Sequence, residues 1–216
     1  QTATLTLPDL AEAVRAALQR WHNPQADDPL EHLALHRNLQ RQGAVAPHQA
    51  TRRLIVAGLD QLAVTNIDGA EILRLHYFDD LKVHAIAGKL NMHEGTVNNK
   101  QREAIAQLAD LLYVQEVAAC AAAQEEAFSR LEPPTYLQLF GVDEHVPRLL
   151  AQVMQPGPPW LYAIEGMGGM GKTSLADSLM RRAIVAAPWC TVAWATARQR
   201  VLNLGGYIDP LPTPAL

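Results

Sequence analysis

The residues with the clearest chemistry form a glycine-rich run, Gly166–Thr173, that reads Gly-Met-Gly-Gly-Met-Gly-Lys-Thr. It satisfies the pattern G-x-x-x-x-G-K-[ST], in which backbone amides wrap phosphate groups because glycines carry no Cβ to block the approach. Lys172 would bring a positive charge to the β- and γ-phosphates, and the Thr173 hydroxyl would ligate Mg²⁺. The predicted phosphate-binding residues are Gly166, Gly168, Gly169, Gly171, Lys172, Thr173 and Ser174.

The elements around this loop predict the start of an α/β domain. Leu161–Ile164 is an apolar run of strand length, a helix is predicted from Lys172 to Ala187, and Thr191–Ala195 is a second strand-like run. Strand, loop, helix and strand in this order are typical of a three-layer fold with a parallel sheet, incomplete in this chain. Hydrolysis also requires an acidic residue after a later strand, and Asp177 and Asp209 do not fit that position. We therefore assign no catalytic residue and expect slow ATP hydrolysis only from a longer polypeptide, to which this chain would belong.

Residues 1–132 are predicted to form a mostly helical domain. Helix-capping signals begin three of its helices: Thr6 ahead of Pro8, Asp28 with Glu31, and Asp68 with Glu71. Further helices are expected at 47–62, at 81–90 and from Gly95 toward Leu131. Pro133-Pro134 is the predicted boundary, so that 133–160 is a linker with a short helix and 161–216 is the front of the P-loop domain.

Two of these helices, joined by a tight turn, resemble the DNA-binding helix-turn-helix of sigma factor region 4, over about residues 69–112. Ile86, Leu90, Met92 and Val97 would form the apolar corner, and Asn91 stands where the chain needs a left-handed turn. The proposed reading face consists of Thr96, Asn98, Asn99, Lys100 and Arg102. However, residues 1–130 contain 12 Lys and Arg against 16 Asp and Glu, a net charge of −4. A helical module that docks a protein partner therefore stays open as the alternative to DNA binding.

The segment around the P-loop resembles the NB-ARC class of STAND nucleotide switches, over about residues 137–205. The similarity includes the strand-like runs at 161–165 and 192–198, Ser174-Leu175-Ala176, and an upstream segment at 139–144. The resemblance implies ADP in a resting state, ATP in an active state, slow hydrolysis and oligomerisation on activation. It also implies an adenine pocket at Phe140, Gly141 and Val142, although Val142 stands where many members have Arg. Arg198 becomes a candidate sensor of the γ-phosphate, with a simple surface arginine as the alternative.

Together these features predict a cytoplasmic ATP- and ADP-dependent signalling switch with Mg²⁺, acting in bacterial defence or transcription control. Its helical module would engage a protein partner or DNA, and no membrane partner is expected because no apolar run approaches bilayer length. The alternatives are a helix-turn-helix transcriptional regulator and a hydrolytic P-loop motor.

Cys120 and Cys190 show no metal-ligand spacing and are expected to be buried thiols. His32 and His36 could share a helix face, but nothing else suggests a metal there.

Overall fold

The chain divides into two compact units, residues 1–124 with 186–189, and residues 125–185 with 190–216. Pro133-Pro134, the predicted boundary, lies within the second unit. The computed structural model describes residues 6–23, 28–43, 46–142, 144–155, 157–159, 161–187, 192–195, 200–202 and 208–210.

The first unit is helical, as predicted. Its described elements are α1 (Leu7–Gln19), α2 (Ala34–Gly43), α3 (Pro47–Thr65), α4 (Ile67–Leu73), a π-helical turn (Arg74–Phe78), α5 (Val83–Leu90) and most of α6 (Glu94–Ser129). The N-terminal cap of α1 is the predicted one, because the Thr6 side chain accepts from the Asp9 amide and the Asp9 side chain reaches back to Thr6.

The larger apolar core of this unit joins α1, α3, α4 and α6. Its fully buried large side chains include Leu10, Leu18, Leu30, Leu33, Ile55, Leu59, Leu62, Leu73, Leu108 and Leu112. At its centre α3 approaches α6 closely, since a Cβ built on Gly58 would lie 2.6 Å from Leu108 Cδ1. Burying leucines of this kind stabilises a fold by about 1.5–3 kcal/mol each before entropy is counted. The first half of α6 is therefore a core helix of this unit.

Two of the predicted helix starts are wrong. Asp28 does not begin a helix: its carboxylate accepts from the Leu30 amide (3.0 Å) within a turn, and α2 begins only at Ala34. The start of α2 is instead capped from α6, because the buried Glu116 carboxylate accepts from the amides of Ala34 (2.7 Å) and Leu35 (3.0 Å). Similarly, α4 is capped by Asn66, whose side chain accepts from the Gly69 amide at 2.8 Å, and not by Asp68.

The second unit contains α7 (His145–Val153) and α8 (Lys172–Ala186), both close to their predicted bounds. A small cluster of Ala127, Leu131, Ile184 and Val192 packs the end of α6 against α8. The predicted strands do not appear: 161–167 and 192–195 are irregular in the part of the chain that the structure describes. The described strands are β1 (Arg200–Leu202) and β2 (Ile208–Pro210), which pair antiparallel with Val201 opposite Asp209. The expectation of a parallel sheet is therefore not met by the described residues.

Helix α6 also corrects an expectation about membranes. Among the described residues, this helix is long and apolar enough, by length and composition, to cross a bilayer. In its apolar stretch, 33% is buried inside the protein. The sequence was expected to contain no such segment. However, Leu108 and Leu112 of this helix belong to the core, and core helices of soluble proteins meet the same criterion.

Candidate functional site

The glycine-rich loop turns directly into the first turn of α8. Gly166, Gly169 and Gly171 have positive φ values of 154°, 80° and 80°, which side-chain-bearing residues rarely adopt. The Leu175 amide donates to the Gly171 carbonyl at 2.8 Å, so Gly171 is the residue that caps the helix. The amides of the next three residues then have no partner within the helix, and the helix dipole adds partial positive charge there. This backbone fits a phosphate group.

Lys172, the first residue of α8, folds back over the loop. Its ammonium donates to the carbonyls of Gly166 (2.9 Å) and Met167 (2.7 Å). These are neutral acceptors near the surface, and a phosphate oxygen is a stronger acceptor for an ammonium group. The lysine can therefore exchange the loop carbonyls for phosphate without leaving the loop. Thr173 is exposed and Ser174 is half-buried at the same helix start, so that a Mg²⁺ brought by a nucleotide could be held by the Thr173 hydroxyl.

Asp177, one turn further along α8, is the buried acid of this region, with 7% of its surface exposed. Its Oδ2 accepts from the Tyr136 hydroxyl at 2.7 Å and from Arg181 Nε at 2.8 Å. Burial and the bonded Asp177 carboxylate raise the pKa of Tyr136, and the same carboxylate raises that of Arg181. Asp177 is thus engaged in a side-chain network with Tyr136 and Arg181.

A narrow cleft lies beside the start of α8. It is lined by Glu132, Pro133, Pro134, Thr135, Tyr136, Thr173, Ser174, Asp177 and Trp194. The indole Nε1 of Trp194 is buried and has no hydrogen-bond partner among the described residues. No pattern in the sequence indicates this cleft, because residues 133–136 fall within the predicted linker 133–160 and Glu132 at the end of the predicted helical domain.

The predicted adenine-binding residues are not part of this cleft. The Phe140 side chain is 82% exposed, and Gly141 has a φ of 72°. Val142 begins the approach to α7, since its carbonyl accepts from the amides of His145 and Val146 at 3.0 Å. The adenine pocket stays a prediction, and Arg198 lies outside the described residues.

In the first unit, α5 and α6 are joined by the tight turn that the sequence predicts. Asn91 has a φ of 53° and ends α5 in the left-handed conformation, as its position in the sequence predicted. The Met92 amide then donates to the Ala87 carbonyl at 2.9 Å, which closes the turn. The apolar corner consists of Ile72, Leu75, Ile86, Ala87 and Val97, with Leu81, Val83, Leu90 and Met92 packed against them.

The predicted reading face of α6 is accessible but weakly cationic. Thr96, Asn98, Asn99 and Arg102 are exposed and Lys100 is half-buried. Lys100 Nζ pairs with Asp68 at 2.9 Å, and Arg102 Nη2 donates to Asn99 Oδ1 at 2.5 Å. Since a carboxylate already neutralises Lys100, this face has little charge to offer to phosphates.

The buried His36 is held by hydrogen-bond partners within the first unit. His36 is fully buried and its Nε2 lies 3.2 Å from Asp28 Oδ2 and 3.0 Å from the Pro47 carbonyl, whereas His32 is exposed. The two histidines therefore do not share a face, and the described residues contain no group of three metal ligands.

The pKa of the Cys120 thiol is raised to about 11, mainly by burial and secondly by the nearby Glu116 carboxylate. Cys190 lies outside the described residues.

No protein-family model matches the chain, and comparison with curated proteins and with solved structures found no similar protein. The function of the chain is therefore inferred from its residues and their geometry.

Proposed function

We propose that this chain binds ADP and ATP with Mg²⁺ and works as a nucleotide-dependent switch of the NB-ARC or STAND type. The observation that carries the proposal is the loop 166–173, in which Gly166, Gly169 and Gly171 adopt positive φ and lead into the first turn of α8. Lys172 lies above the same loop, with its ammonium on two loop carbonyls. Motif, backbone conformation and lysine position agree on a phosphate ligand.

The proposal includes features of the whole protein that the resemblance implies. These are a P-loop domain of the α/β type with a parallel sheet, slow hydrolysis, oligomerisation on activation, a cytoplasmic location and a role in bacterial defence or transcription control. The first unit, with its own core, would act as the effector or adaptor module that docks a protein partner when nucleotide is exchanged.

Calorimetric titration of the chain with ADP and ATP in the presence of Mg²⁺ tests nucleotide binding. We expect Lys172→Ala to weaken binding by roughly 10- to 150-fold, because the lysine contributes charge-assisted hydrogen bonds of about 1.5–3 kcal/mol. Lys89→Ala removes an exposed lysine of α5 in the other unit and serves as the matched control with unchanged affinity. Equal affinities for the wild type and Lys172→Ala would overturn the proposal. Rapid, motor-like hydrolysis would favour the hydrolytic alternative.

The geometry of α5 and α6 supports a second candidate, a DNA-binding regulator. The left-handed Asn91 and the buried corner produce the turn that such modules require, and Asn98, Asn99 and Arg102 are exposed on the second helix. Fluorescence polarisation with mixed duplex DNA at low salt tests it. Binding that falls as salt rises, and that Arg102→Ala weakens, would support DNA recognition. Absence of salt-dependent binding would leave protein docking as the role of this face.

A further inference from the structure

The segment Glu132–Tyr136, here called the strap, is attached to α8 at both of its ends. At one end Arg181 Nη2 donates to the Glu132 carbonyl at 2.6 Å, and at the other the Tyr136 hydroxyl donates to Asp177 Oδ2 at 2.7 Å. Arg181 Nε donates to the same carboxylate oxygen at 2.8 Å. Because residues four apart lie on one face of a helix, the strap follows a single face of α8.

The same helix face leads to the phosphate site. Thr173 precedes Asp177 by four residues, one helical turn of about 5.4 Å, and it lines the cleft together with the strap. The acidic residues of the cleft are Glu132 and Asp177. Trp194 adds a buried indole N–H that has no partner among the described residues. The cleft is therefore lined by the bonded Asp177 carboxylate, the Trp194 indole N–H and the Thr173 hydroxyl that would hold Mg²⁺.

We propose that Tyr136 and a magnesium nucleotide compete for the Asp177 carboxylate, so that filling the phosphate site releases the strap. This inference rests on the proposed nucleotide binding. Magnesium bound with nucleotide phosphates keeps several water ligands, and such waters donate hydrogen bonds to carboxylates. Oδ2 of Asp177 carries the bonds from both Tyr136 and Arg181. If Oδ2 itself turns toward the Thr173 end of the cleft, the Tyr136 bond breaks, because that bond ends on the same oxygen.

Release of the strap would free the segment that follows α6 in the second unit, since the strap begins three residues after α6 ends at Ser129. Thermodynamic reciprocity gives the converse effect. If magnesium nucleotide weakens the Tyr136–Asp177 bond, removal of that bond must strengthen binding of magnesium nucleotide by the same factor. Nucleotide without magnesium does not compete with Tyr136 for the Asp177 carboxylate. Removal of the Tyr136–Asp177 bond should therefore leave its affinity unchanged.

The test compares the wild type, Tyr136→Phe and Tyr162→Phe in the full chain. Affinities for ADP are measured by calorimetry with Mg²⁺ and with EDTA. We expect Tyr136→Phe to bind ADP roughly three- to tenfold more tightly with Mg²⁺, the range for one net hydrogen bond, and equally with EDTA. Tyr162→Phe is the matched control, because its hydroxyl donates to the Gln152 carbonyl (2.9 Å) and is not among the groups that line the cleft.

Hydroxyl-radical labelling of Tyr136, read by mass spectrometry, provides a second measurement that needs no variant, because this side chain is half-buried while it is bonded to Asp177. In the wild type, Mg²⁺ and ADP together should increase labelling of Tyr136, and ADP with EDTA should not. Unchanged or lower labelling, while nucleotide binds, would overturn the competition and leave the nucleotide switch intact. A weaker affinity of Tyr136→Phe would do the same. Absence of any ADP binding by the wild type would overturn both proposals.

Discussion

Replacement of Glu116 by Gln tests how the first unit is held together. Glu116 is 5% exposed, and its carboxylate accepts from the first two amides of α2, at 2.7 and 3.0 Å, although it lies 82 and 81 residues away in sequence. A carboxylate also complements the positive end of the helix dipole at this point. Glutamine has nearly the same size as glutamate and keeps one acceptor oxygen. Its side-chain NH₂ group, however, would face a backbone N–H of α2, so that two donors would oppose each other.

The magnitude follows from this geometry. The variant loses one charge-assisted hydrogen bond, weakens a second and leaves a buried amide unpaired, each worth about 1–3 kcal/mol. We expect a loss of about 2–4 kcal/mol in the free energy of unfolding, a large part of the roughly 5–15 kcal/mol typical of a domain. The midpoint of thermal unfolding should fall by roughly 4–16 °C.

Urea denaturation followed by far-ultraviolet circular dichroism gives the free energy, and hydrogen exchange at the amides of Ala34 and Leu35 localises the effect. Glu125→Gln makes the same chemical change at an exposed position of the same helix and should alter stability by less than about 0.5 kcal/mol. If Glu116→Gln were as mild as this control, the Glu116 cap would contribute nothing to the stability of the first unit.

Two further predictions concern the backbone turn and the thiol. Asn91→Ala should destabilise the first unit by about 1 kcal/mol, because alanine tolerates the φ of 53° less well than asparagine, whereas Asn91→Gly should match the wild type in urea denaturation. Iodoacetamide at pH 8 should modify Cys120 roughly 100-fold more slowly than a thiol whose pKa is 9.0, since the pKa is raised to about 11. A chain carrying Cys190→Ser allows this rate to be read by mass spectrometry. Because the folded pKa lies above the unfolded one, the thiol's stabilising contribution is present below pH 9 and is lost as the pH rises toward 11.

Features that depend on neighbouring residues were predictable from the sequence. The cap of α1 joins Thr6 and Asp9, three residues apart, and the turn after α5 depends on the tolerance of Asn91 for positive φ. The buried corner of Ile86 and Val97 followed from apolar spacing on the two helices that flank this turn. In each case the residue type and its immediate neighbours carry the physical cause.

Features that depend on distant residues were not predictable. Asp28 followed by Pro29 looks like a helix start, but the cap of α2 comes from Glu116, which the local pattern does not contain. The strap is attached through Tyr136 to Asp177, 41 residues later, and no periodicity relates the two. Asn66 is different, because an asparagine three residues before Gly69 is a local capping signal that the Asp68–Glu71 pattern obscured.

The positions of Lys172 and Asp177 bear on regulation rather than turnover, provided that the chain binds nucleotide as proposed. A hydrolytic site needs an acid free to hold magnesium and orient water. Here Asp177 is engaged by Tyr136 and Arg181, and the other acid lining the cleft, Glu132, belongs to the strap itself. A nucleotide that takes Oδ2 of Asp177 from Tyr136 would therefore disturb the strap before it is hydrolysed. In the proposed switch, release of the strap would precede hydrolysis, which is the order of events that a slow switch requires and a motor does not.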